Sequence, residues 1–330
     1  MSYRFRLLFL LFLLLLSISI KAQSYPPAVG YEGSTAIHKD NHLFVDWANA
    51  ITISRGFLDI AQPEEGLVTY GNPENALGKA DGGANIVSLG DGGSALLEFE
   101  NPIVNGIGID FAVFENGFFE ETDSEMAFLE LAFVEVSTDG IEFIRFPSVT
   151  EIQNDIQLGS FESCNARYLH NFAGKYTAFY GTGFDLEDLK PLITNSTVNL
   201  NEINYIKIID VVGCIDPEWA SFDSLHNLIN DPYPTPFASG GFDLDAVGVL
   251  HNTLNNTVTD ELIVYPNPTN NDLYLKTNDR LLSVKIFSST GQLMLSNCQT
   301  VISVEKLVAG CYIACVETDK KCYYKTFIKE

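Results

Sequence analysis

Positively charged side chains are scarce in this chain: 19 Lys and Arg stand against 43 Asp and Glu, for a formal net charge of −24 at pH 7. Phosphate contacts need a Lys/Arg surface, so nucleic acid is not an expected partner, and an anionic membrane is equally unsuited. Long apolar runs are few as well. Past Ile20 none approaches the ~18 to 20 residues of a membrane helix, so no transmembrane span is expected in the mature chain. Amphipathic helical periods are missing from residues 25 to 250. Several catalytic and metal signatures are absent too. There is no Cys-x-x-Cys zinc knuckle, no Gly-x-Ser-x-Gly nucleophile elbow and no Asp-x-Asp-x-Asp-Gly calcium loop. The glycine-rich pieces Asp81-Gly82-Gly83 and Gly90-Asp91-Gly92-Gly93 lack the Gly-Lys-Ser/Thr ending of a phosphate loop and lead into strand patterns, so they read as tight turns. His38 and His42 lack both a helical period and the Glu of a zincin motif. Cations and neutral ligands remain open as partners.

What is present points to a folded, exported protein. An apolar fraction of 46% with 19% charged residues argues against disorder, and 330 residues suffice for one or two domains with a real core. Arg4 and Arg6 precede an apolar run from Leu7 to Ile20, which closes on Lys21-Ala22. That layout predicts a secretory signal peptide over residues 1–22. Cleavage after Ala22 would put Gln23 first, where lipid attachment requires Cys, so no lipid anchor is expected by this route.

The charge divides the rest. Residues 22–260 hold 36 acidic and eight basic side chains, whereas residues 261–330 hold seven and eight. Two charge regimes predict two domains joined by a polar Asn/Thr linker; with the resemblances described below, the expected bounds are 23–251, a linker over 252–261, and 262–330. Cys164 and Cys214 lie in the first, and Cys298, Cys311, Cys315 and Cys322 in the second. Bridging within each is permitted. Cys164 and Cys214 form either a disulfide or two buried thiols.

Short apolar runs separated by Gly, Pro, Asn and Asp predict strands at Phe44–Trp47, Ile51–Ser54, Ala95–Phe99, Asp110–Glu115, Phe128–Ser137, Phe143–Phe146, Tyr205–Val212 and Asp243–Leu250. Phe184–Leu189 reads as a short helix, and Asp139-Gly140 as a two-residue hairpin turn. The expected fold is all-β: a jelly-roll-like β-sandwich followed by a small Ig-like β-sandwich.

Two stretches resemble known families. Val264-Tyr265-Pro266-Asn267-Pro268, Gly291-Gln292-Leu293, Leu307-Val308-Ala309-Gly310-Cys311-Tyr312 and the basic end Lys325 to Lys329 resemble, in order, the type A C-terminal sorting domain of the type IX secretion system of Bacteroidota. The resemblance implies the type IX machinery as a partner and the outer cell surface or medium as destination. Phe133 to Phe143 and Phe242 to Val249 resemble strands of discoidin-like, galactose-binding-like jelly rolls. Ser88 to Ser94 with Asp110 to Gly117 is similar to a family of uncharacterised bacterial cell-surface proteins. Some relatives of that general pattern are associated with cobalamin uptake, which implies capture of such a small cofactor as an alternative ligand.

Strand alternation puts Asp210 on the face of Ile206 and Ile208, Asp110 on that of Ala112 and Phe114, and Asp243 and Asp245 on that of Val247 and Val249. A buried, unpaired carboxylate costs several kcal/mol. With cations scarce, these four must sit at strand ends, accept backbone N–H bonds, or coordinate a cation; calcium is the expected cofactor, with Asp110, Asp210, Asp243 and Asp245 as its candidate ligands. The loop from Ile215 to Gly241 carries Trp219, Phe222, Tyr233, Phe237 and four prolines. It either frames a flat ligand or packs its rings inward over a sandwich end. The candidate ligand-binding residues are Trp219, Tyr233, Phe237, Glu115 and Asn116, and the expected ligand is an extracellular glycan or small molecule. A non-catalytic binding role is the first reading. The alternative is a polysaccharide hydrolase or lyase using Glu115, Glu130 or Glu135, among which the sequence cannot select a pair at glycosidase spacing.

Overall fold

The computed structural model describes residues 25–120, 125–254, 262–277, 280–288, 290–319 and 322–330. The signal peptide and most of the linker lie outside them. The chain divides into two compact units, Met1–Thr253 and Leu254–Glu330. It is all-β, and no helix of the described residues is long and apolar enough to cross a membrane.

The large unit is a sandwich of two antiparallel sheets. One runs in the order Ile37–His38, Tyr180–Phe184, Phe111–Glu115, Asp243–Val249, Asp46–Trp47, with Val87–Ser88 also paired to Asp243–Val249. The other runs Ile144–Arg145, Ala132–Ser137, Ile203–Asp210, Ser94–Ile103, Ala50–Ser54. Consecutive strands repeatedly switch sheets, the winding expected of a jelly-roll-like fold. Alternation supplies the core: Ile206 and Ile208 of one sheet and Phe111, Val113, Val247 and Val249 of the other join a single buried cluster. Phe111, Phe146 and Phe184 pack ring to ring at its centre.

Three local expectations change. The run Phe128–Ser137 is split into Met126–Phe128 and Ala132–Ser137, because the Leu131 N–H leaves the ladder to bond the Asp231 carboxylate at 2.8 Å. The helix over Phe184–Leu189 is the end of the Tyr180–Phe184 strand plus one 3-10 turn, Leu186–Leu189, begun by the Asp185 carboxylate accepting from the Glu187 N–H. The hairpin around Asp139-Gly140 is wider than two residues. Its register pairs Val136 with Ile144, and the Asp139 carboxylate accepts from the Ile141 and Glu142 N–H groups to hold the longer loop.

The smaller unit is a sandwich of a three-stranded sheet, Ile263–Tyr265, Asp272–Lys276 and Val301–Ser303, and a four-stranded one, Leu293–Asn297, Leu281–Ser288, Gly310–Thr318 and Cys322–Lys329. Its core is apolar and its own, with Leu273, Ile286, Tyr312, Val316 and Phe327 at the centre.

Candidate functional site

The structure does not bring Asp110, Asp210, Asp243 and Asp245 together around one ion. Asp110 lies at the start of the Phe111–Glu115 strand, opposite the end of that strand that pairs with Leu244. It accepts from the Gly106 N–H at 2.7 Å and the Leu186 N–H at 2.8 Å, and its Oδ1 lies 2.7 Å from His251 Nδ1. Asp245 takes three amides in a row, from Asp81, Gly82 and Gly83, at 3.0 to 3.2 Å. Asp210 accepts from the Gly92 N–H at 2.9 Å and the Phe242 N–H at 2.7 Å. Asp243 accepts from the Ser88 hydroxyl and, at 2.9 Å, from the Asn116 amide. Among the described residues, no three His, Cys, Asp or Glu side chains are grouped so as to hold a metal ion. The shortage of cations is therefore met by backbone and neutral donors, the other outcome the alternation left open.

The glycine-rich turns are the donors. Asp81-Gly82-Gly83 wraps Asp245, and Gly92 and the Phe242 N–H after Gly241 hold Asp210. The glycines are needed for the approach: Gly241 has φ 68°, and a Cβ there would stand 2.7 Å from Asp210 Oδ1. These segments and the buried acids are one system, which reading each as an isolated turn or an isolated carboxylate missed.

At the end of the strand pair near Leu244 the balance is less complete. Asp91, Glu115, Glu130, Asp210, Asp231 and Asp243 are all buried and act electrostatically on one another. Burial, reinforced by these like charges, pushes Glu115, Glu130, Asp210 and Asp231 well above the usual carboxylate range. Burial likewise pushes Asp91 and Asp243 up to about 6. The Arg55 guanidinium, bound to the carbonyls of Tyr70, Gly71 and Ser88, acts in the opposite sense on Asp243. Glu115 Oε1 and Asp231 Oδ1 are buried without a hydrogen-bond partner. Glu115 is 1% exposed and Glu130 6%, so neither is placed to reach an outside ligand. Asn116 is half-buried with its amide spent on Asp243. Both residues are thus engaged with the interior of the sandwich, Glu115 with the Gly117 N–H and Asn116 with Asp243.

The 215–241 loop divides between its two readings. Tyr233 turns inward, 8% exposed, and its hydroxyl donates to Asp59 at 2.7 Å. Trp219 packs against the cluster of Val212, Cys214 and Tyr233. Phe237 faces out, and it does so in company. Phe118 stacks on Phe128 with centroids 5.0 Å apart, Phe128 meets Phe161 at 6.3 Å, and Phe161 stacks on Phe237 at 5.4 Å. Phe118, Phe161 and Phe237 are 56%, 70% and 41% exposed, so the strip is a surface ledge resting on buried Phe128. Phe118 and Phe161 were not expected as site residues; the available signal was a lone Phe beside Gly159-Ser160 and a Phe pair after Gly117, with nothing to say they meet. A separate concavity lined in part by Ala28, Phe119, Glu125, Lys175 and Tyr176 has a cavity volume of about 10 Å³. That is below the ~300–1,000 Å³ usual for small-molecule pockets.

Cys164 and Cys214 are free, buried thiols. The fold separates them: Cys164 pairs with Ala127 and joins one apolar cluster, while Cys214 packs with Val212 and Tyr233 in another.

Comparison with known proteins identifies one end of the chain. Residues 263–330 match the family model of the secretion system C-terminal sorting domain. The tail is thus similar to a sorting domain. The match supports export by the type IX secretion system and is consistent with a secreted or cell-surface destination. No curated protein matches the chain. Among solved structures, Lactobacillus rhamnosus Beta-glucuronidase aligns over 87% of this chain and 44% of its own at 11% identity, with a TM-score of 0.19. The chain thus spans less than half of that enzyme's length, and so loose a superposition carries no argument about activity.

Proposed function

We propose that the large unit is a non-catalytic carbohydrate-binding module that works outside the cell, with the phenylalanine ledge as its contact surface. The observation that carries this reading is the strip Phe118, Phe161 and Phe237. Three exposed rings, joined through stacked contacts of Phe118 with Phe128 and Phe161 with Phe237 and a tilted contact of Phe128 with Phe161, offer apolar surface to the C–H faces of sugar rings in an extended chain. Exposed phenylalanines are costly in water, and setting three side by side fits a surface that is covered in use. Export to a compartment rich in glycans supplies the occasion. The hydrolase alternative is weakened by access, since the acids with raised pKa are the ones closed off from solvent.

Affinity electrophoresis and a glycan array test the proposal with the full chain and the variants Phe161→Ala and Phe237→Ala. Each ring removed is expected to weaken retention roughly fivefold, an aromatic contact being worth about 1 kcal/mol. The melting temperature should hold, because neither ring belongs to the core. Equal retention of wild type and the double variant would overturn the ledge, and release of new reducing ends would overturn the non-catalytic assignment.

A further inference from the structure

Four of the six cysteines lie in the sorting domain, and its last hairpin distinguishes them. The strands Gly310–Thr318 and Cys322–Lys329 pair antiparallel, with Cys311 opposite Ile328, Cys315 opposite Tyr324 and Glu317 opposite Cys322. Tyr312, Ala314 and Val316 enter the core, so Cys311, Cys315 and Cys322 share the outer face of the sheet. Diagonal neighbours on one face come within side-chain reach. Cys315 Sγ and Cys322 Sγ stand 3.3 Å apart. Cys311 is four residues along the strand from Cys315, roughly 13 Å by strand rise, too far to compete. Cys298 lies past the end of the Leu293–Asn297 strand.

We propose that Cys315 and Cys322 are a disulfide-forming pair that covalently closes the terminal hairpin of the sorting domain once the chain has left the cytoplasm. Exported chains meet an oxidising environment in which such bonds form and persist. Cys322 is exposed and Cys315 half-buried, so Cys322 is the thiol an external partner meets first. Its thiolate attacks one sulfur of an acceptor disulfide, such as that of a thiol oxidoreductase, forms a mixed disulfide and displaces one acceptor thiolate. The Cys315 thiolate then attacks Cys322 Sγ and displaces the other. Two cysteine thiols give up two protons and two electrons, and the acceptor disulfide becomes two thiols. Lys285 lies directly across from Cys315 on the neighbouring strand and favours its thiolate, against burial and the neighbouring sulfur, which push that thiol up. The bond would pin the strand that carries Lys325 and Lys329 to the centre of the sheet.

Peptide mapping of the full-length chain tests this without a variant. The reduced protein is equilibrated with oxidised glutathione as acceptor, alkylated in denaturant, and digested with trypsin and chymotrypsin. Cuts after Tyr312, Lys320 and Lys321 place Cys311, Cys315 and Cys322 on three different peptides. The expected product is a linked Cys315–Cys322 pair, two hydrogens lighter than its separate parts, which dominates over every other linkage and disappears on reduction. Alkylation or glutathionylation of both cysteines, or a bond from either to Cys298 or Cys311, would overturn the proposal.

Discussion

The two units place their charge in opposite ways. Ten carboxylates are buried in the large unit, from Asp59 and Asp91 through Asp243 and Asp245, whereas the described residues of the sorting domain bury none. The sorting domain is close to neutral, and apart from Lys329, which is 8% exposed, its described charged side chains stay out of the buried set around an apolar core. The large unit has more than four acids for each base and takes acids inside. It tolerates them because glycine turns bring amide N–H groups to within hydrogen-bonding distance, as at Asp81–Gly83 around Asp245 and at Gly92 against Asp210. A buried carboxylate in this fold is therefore a receptor for backbone donors, and it ties loops that are far apart in sequence. Asp245 reaches a turn more than 160 positions away.

The sharpest way to break this contrast is to remove one acid from each unit. Asp210→Ala strands the buried Phe242 amide and takes the acceptor from the more exposed Gly92 amide, and an orphaned buried donor costs about 1–3 kcal/mol, so a loss of about that size is expected. Glu317→Ala removes an exposed acceptor for the Ser283 hydroxyl and should stay within about 0.5 kcal/mol. Both Trp residues, 47 and 219, lie in the large unit, so tryptophan fluorescence during urea unfolding reports that unit, and calorimetry resolves the other. Similar losses from both substitutions would show that the buried acids are not organising the large unit. Because amide and hydroxyl donors fill the ligand positions of Asp110, Asp210, Asp243 and Asp245, a chelator is expected to shift the fluorescence-detected melting temperature by less than about 1 °C. A larger fall would restore the calcium reading.

A smaller effect follows from pH. Asp91 and Asp243 are raised to about 6 in the folded chain against about 4 unfolded, so between those values the folded state holds protons the unfolded state has lost. Stability then falls as pH rises from 4 to 6, on the order of 2 kcal/mol for each group, and the penalty persists above. Lys175, pushed down to about 7 by burial, acts the other way above neutrality, where the folded state is the one lacking the proton. The large unit should melt higher at pH 5 than at pH 7. Glu115→Gln should flatten the slope, since it replaces a buried acid that acts on Asp243 by a side chain that does not titrate. A melting temperature that climbs steadily from pH 5 to 7 would contradict the crowding of these acids.

Much of the architecture could be read from the chain. Seven of the eight expected strands each correspond to one observed strand and the eighth, Phe128–Ser137, to two, because each carries a short apolar run bounded by turn residues. The burial of Asp210 on the face of Ile206 and Ile208 was equally local. The partners of the acids were not legible, because a backbone N–H belongs to every residue and nothing in Gly92 or Gly82 marks which carboxylate it will meet. The ledge was hidden for a related reason. Phe118, Phe161 and Phe237 lie in three separate loops or short strands, and only the fold shows that Phe161 stacks between its neighbours while Tyr233, four positions before Phe237, turns inward to Asp59.

The smallest expected effect on stability comes from the largest deletion. The sorting domain has its own core, built of Leu273, Ile286, Tyr312, Val316 and Phe327, and the main core of the large unit draws its members from Ala48 to Val249. Neither cluster includes a residue of the other, so cutting the chain after Thr253 removes no side chain from the sandwich. Fluorescence-detected melting of the truncated protein should fall within about 1 °C of the full chain, while its export should be lost, because residues 263–330 are the part that matches the secretion system C-terminal sorting domain. A truncated protein that still reaches the medium would separate export from the sorting domain. One that is exported poorly and also melts several degrees lower would instead show that the tail supports the fold it is attached to, and that the division of labour drawn from charge and core is too clean.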